Sequence, residues 1–106
     1  MKWSIIGTSG STVIMGAPPS LRTDRGLRSL CSLLKRYARE HTIKHIVIYL
    51  HRTWDVDNTT VDALAVAACI VQIEFDAKLW LAKPNEKLQR LISSRELNHL
   101  LVRCDS

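Results

Sequence analysis

The fold turns on residues 54–64, Trp54-Asp55-Val56-Asp57-Asn58-Thr59-Thr60-Val61-Asp62-Ala63-Leu64. An apolar, β-branched run precedes it, Ile46-Val47-Ile48-Tyr49-Leu50, and a small apolar run follows, Ala65-Val66-Ala67-Ala68-Cys69-Ile70-Val71. The first run reads as a strand and the second as a helix. Asp57, Asn58 and Thr59 between them are all good N-caps, because a short side-chain oxygen accepts from the unpaired N–H groups of a first turn. Thr59-Thr60-Val61-Asp62 nearly matches a capping box, with Asp for the usual Glu. A helix N-terminus also attracts anions, and Arg52 and His51 lie nearby in sequence.

Upstream, residues 3–8 and 12–15 read as short strands joined at Ser9-Gly10-Ser11, a hairpin. Gly16-Ala17-Pro18-Pro19-Ser20 is a loop, since prolines fit neither a helix interior nor a central strand. From about residue 20 or 23 to His41 the pattern is helical. Leu27, Leu30, Cys31, Leu34, Tyr37 and Ala38 share one side, and Arg22, Arg25, Arg28, Lys35, Arg36 and Arg39 the other. That basic side is a solvated face or a surface for nucleic acid or anionic lipid.

Residues 43–50 form a continuous apolar-leaning strand, expected to be covered on both faces as in a parallel sheet. The helix from Thr59 to about Phe75 is apolar almost all round and is expected to be largely buried. Residues 77–82 form another strand, and Pro84-Asn85 opens a helix to about Arg95 with Leu88, Leu91 and Ile92 inward. The segment 97–103 ends in a short strand. The order ββαβαβαβ predicts an α/β fold with a mixed, mostly parallel sheet.

The chain has 106 residues and is expected to form one domain over 1–106. Its net charge of +5 permits nucleic acid, anionic lipid or an acidic protein as partner and selects none. Six aromatics in Phe, Trp and Tyr are few for an RNA-stacking surface. Cys31, Cys69 and Cys104 lack paired or metal-like spacing and read as reduced thiols at or near the core. The longest apolar run, residues 63–71, falls short of the roughly 20 needed to span a bilayer, so a soluble, cytoplasmic protein is expected. His41, His45, His51 and His99 show no ligand spacing with the cysteines, so no metal or other cofactor is expected. No Gly-rich phosphate loop and no nucleophile–base–orienter set can be assembled, which places a binding module ahead of an enzyme. Trp54 is expected to fold back onto the core; exposed, it would make an interface anchor.

From Ile46 to about Leu101 the sequence resembles a STAS domain, the fold of anti-sigma factor antagonists and of anion-transporter tails. The resemblance lies in Asp57-Asn58-Thr59-Thr60 before the small apolar helix, then Lys78-Leu79-Trp80-Leu81-Ala82, Pro84-Asn85, and Leu88-Gln89-Arg90-Leu91-Ile92. It implies a regulatory protein that docks a partner, an anti-sigma kinase or similar regulator, through Arg52, Trp54, Asp57, Asn58, Thr59 and Thr60. In the antagonist branch the hydroxyl residue after the Asp is phosphorylated. That position is Asn58 here, leaving Thr59 or Thr60 as possible acceptors. Thr60 stands where Gly is common, Asp55 where an apolar residue is usual, and Gly16-Ala17-Pro18-Pro19 where antagonists carry an acidic loop. Two other readings stand beside this one. One is a STAS subunit of a membrane transport assembly, ABC or anion transporter. The other is a nucleic-acid or anionic-lipid binder using Arg25, Arg28, Lys35, Arg36 and Arg39.

Overall fold

A computed structural model describes residues 3–21 and 24–104, with backbone alone for 24–27. Arg22 and Thr23, and the side chains of Arg25 and Leu27, therefore lie outside the described residues. The elements follow the predicted order: β1 (Ser4–Ser9), β2 (Thr12–Gly16), α1 (Asp24–Ala38), β3 (His45–Tyr49), α2 (Asn58–Phe75), β4 (Lys78–Ala82), α3 (Glu86–Ser94) and β5 (Val102–Arg103). Helix α1 stops at Ala38 rather than His41, and the last strand shrinks to two residues.

The sheet runs β1-β2-β3-β4-β5 in chain order. Strand β1 is antiparallel to β2, and every later pair is parallel. Each parallel step moves the same way across the sheet. Right-handed crossovers then place all their helices on one face. Burial agrees: Val13, Met15, Ile46, Ile48, Leu79 and Leu81 are buried beneath helices, with α2 packed between α1 and α3.

The expectation that β3 is covered on both faces is therefore overturned. Val47 and Tyr49 are half-buried, and among the described residues no helix covers their side of the sheet. An apolar row, Ile14-Val47-Trp80-Val102, crosses this open face in register. Trp80 donates its indole N–H to Nδ1 of His45 at 3.2 Å, and Lys78 Nζ lies 4.3 Å from the Trp80 ring centre.

Helix α2 is also less buried than its composition implied. Val61, Leu64, Ala67, Ala68 and Val71 meet the sheet and neighbouring helices, while Val66, Cys69 and Ile73 face outward. One layer of sheet offers one buried stripe, and the two flanking helices, α1 and α3, do not wrap the remainder. Cys69 is thus not a core thiol, whereas Cys31 and Cys104 are half-buried. Burial, and then the Glu74 carboxylate, push the Cys31 thiol up against the opposing pull of Lys35. By length and composition alone α2 is long and apolar enough to cross a membrane. Its packed stripe accounts for part of that apolarity, and Val66 and Ile73 are left exposed.

Candidate functional site: the corner before α2

The corner begins where β3 ends. Leu50 is buried and donates its N–H to Ala82 O at 2.8 Å, continuing the ladder toward β4. His51 and Arg52 form a turn closed by Thr53 N–H to Leu50 O at 3.0 Å. Thr53 is then buried, its Oγ1 donating to Pro18 O at 2.7 Å, and its own carbonyl accepts from Asn85 Nδ2 at 3.3 Å. Asp55 N–H reaches Pro19 O at 3.4 Å. The loop is stitched to both the β2–α1 loop and the start of α3. With Thr53 turned inward, its neighbours Arg52 and Trp54 are turned to water, and Val56 is buried again just before the helix. Trp54 is 73% exposed and does not fold back onto the core.

Asp57 is the N-cap of α2, with an extended backbone. Its Oδ1 accepts from Thr59 N–H at 2.9 Å, from Thr60 N–H at 3.2 Å, and from the Thr59 hydroxyl. Thr60 Oγ1 accepts the Asp57 N–H at 3.1 Å. The capping box therefore joins Asp57 and Thr60, not Thr59 and Asp62. The shift follows from Asp57, whose carboxylate is the strongest acceptor among the three cap-type residues. The two threonines diverge: Thr60 is fully buried, while Asn58 and Thr59 are exposed.

Asp62 serves a different purpose. Arg95, just past α3, meets its carboxylate at 2.6 Å and donates to Asn58 O at 3.2 Å. The cation at the first turn of α2 thus comes from Arg95, 37 residues beyond Asn58 in sequence. No sequence signal marked it. His51 and Arg52 instead line a cleft of about 470 Å³ with Ile6, Gly16 and Tyr49, beyond the ends of β2 and β3. The basic side of α1 is only partly free: Lys35 lies 3.6 Å from Glu74 of α2, while Arg28, Arg36 and Arg39 are exposed.

No family model matches the chain, and no curated protein matches it by sequence. Solved structures similar to it over nearly its whole length include two of SpoIIAA. The Bacillus cell fate determinant SpoIIAA in its phosphorylated form has 10% identity and a TM-score of 0.66 over 98% of this chain and 92% of that one. The anti-sigma factor antagonist SpoIIAA in its unphosphorylated form has 11% identity and a TM-score of 0.68 over 98% and 89%. The chain has the STAS fold. The five strands and three helices among its described residues are one instance of that fold.

Proposed function

We propose that this chain is a non-catalytic STAS regulatory protein that binds a protein partner through the corner before α2. One observation carries the reading: Arg52, Trp54, Asn58 and Thr59 are exposed on a corner whose backbone is fixed by Thr53, Asp57 and Thr60. A rigid backbone presenting an exposed Trp loses little entropy on docking, and Trp is enriched among residues that dominate interfaces. SpoIIAA, the similar fold, is an anti-sigma factor antagonist of known phosphorylated and unphosphorylated structure. A partner of the anti-sigma kinase type or a comparable regulator fits this reading.

Asn58 keeps the position uncharged and without a hydroxyl, which corresponds to an antagonist held permanently unmodified there. Thr59 is the acceptor favoured for any modification. Thr60 is buried with its oxygen taken by Asp57, whereas Thr59 is exposed. A phosphate on Thr59 would bring about −1.5 to −2 charges beside the Asp57 carboxylate.

Affinity capture from native lysate tests the corner. Wild-type protein is expected to recover a partner that Trp54→Ala weakens and Asn58→Glu loses. Equal recovery by all three proteins rejects the corner as the docking surface. A recovered transporter component in place of a kinase or sigma-pathway regulator moves the protein to the transport-assembly reading, which uses the same corner.

A further inference from the structure

We propose that the cleft at the open-face ends of β2 and β3 binds a small apolar carboxylic acid, as its carboxylate. Its volume, about 470 Å³, falls within the ~300–1,000 Å³ of small-molecule sites. The wall is built by an irregularity of the edge strand. Pairing of β1 with β2 slips between Ile5 and Gly7, so Ile6 is the additional residue of a bulge. The bulge brings Ile6 over Gly16 beside Ser4: a Cβ on Gly16 would lie 3.2 Å from Ile6 Cγ2 and 3.3 Å from Ser4 Oγ. Bulges recur where a strand must re-aim a side chain next to a site. Ile6 stays 55% exposed, an aliphatic group held at the cleft and away from the core. Pro18-Pro19 also lines the cleft, held in place because the Pro18 carbonyl accepts from Thr53.

Charge selects the head group. Among the described residues, the ionisable side chains lining the cleft are Tyr49, His51 and Arg52, and none is a carboxylate. Tyr49 meets His51 edge-on, with ring centres 5.7 Å apart. Among the described residues Arg52 pairs with no carboxylate, so its planar guanidinium is open to a bidentate anion. One guanidinium at the mouth of an apolar cleft suits one anionic group on an apolar body. It does not suit a chain of phosphates, which needs a row of cations. This site shares Arg52 with the partner-binding corner but does not depend on that reading, because its test uses the protein alone.

The test is an amide-resolved NMR titration of the full chain with phenylacetate, phenylacetamide and phenyl phosphate. Phenylacetate is expected to shift the amides of Gly16, Ala17 and residues 49–52 saturably. Phenylacetamide and phenyl phosphate are expected to bind at least about tenfold more weakly, the first for lack of charge and the second for its bulkier dianionic head. Arg52→Gln should lower phenylacetate affinity to that of the amide. Ile6→Glu, at an exposed position the fold tolerates, should abolish binding by placing a carboxylate in the cleft. No shift up to about 10 mM phenylacetate, shifts confined to other surfaces, or equal affinity for acid and amide would each overturn the proposal. Phenyl phosphate binding as tightly as phenylacetate would overturn the carboxylate assignment.

Discussion

Two adjacent threonines with the same side chain do unlike work. Thr60 is buried and closes the capping box, so Thr60→Val leaves the Asp57 N–H without its acceptor and should cost about 1–2 kcal/mol of stability. Thr59→Val, at an exposed site, should stay within about 0.5 kcal/mol. Urea unfolding of both variants checks the contrast, and equal losses would show that the box contributes nothing. The residue types at 57–60 announced a cap, but not which of them would serve as the cap. That choice depends on which acceptor stands where the chain leaves the extended conformation, and the Asp57 carboxylate stands there. Thr53 and Arg95 were illegible for a different reason. Their partners, Pro18 and Asn58, lie 35 and 37 residues away, and no local pattern encodes a single long-range hydrogen bond.

Helix α2 shows what periodicity can and cannot deliver. Its small residues promised close approach to a sheet, and Ala67 and Ala68 are indeed buried. Ala67→Leu should therefore overpack this seam and destabilise by about 1–3 kcal/mol, while Ala65→Leu, half-buried, costs less. Thermal unfolding of the pair tests this; an Ala67→Leu variant as stable as wild type would mean the seam is loose. Composition overstated how much of α2 is covered, since it measures how apolar a helix is and not how many neighbours surround it. The exposed Val66 and Ile73, 47% and 82% accessible, are the part of that apolarity the fold leaves facing water. The same limit applied to β3. A continuous apolar run was read as two covered faces, whereas the observed strand order, with three crossovers all stepping one way, leaves a single helical layer.

At the scale of the molecule, β3 lies at the centre of the sheet, with two strands on either side, while β5 contributes only Val102 and Arg103 at one rim. Protection against hydrogen exchange should accordingly be greatest at Ile46 and Ile48 and least in β5. Amide exchange followed by NMR decides it, and β5 exchanging as slowly as β3 would mean that the sheet opens only as a whole. The order of the strands has one more consequence. Because each parallel strand settles against the one made before it, no strand must be threaded between two already paired. A chain emerging from the ribosome can complete its hairpin, then extend the growing edge one β–α unit at a time, and never has to undo a finished pairing to admit the next piece.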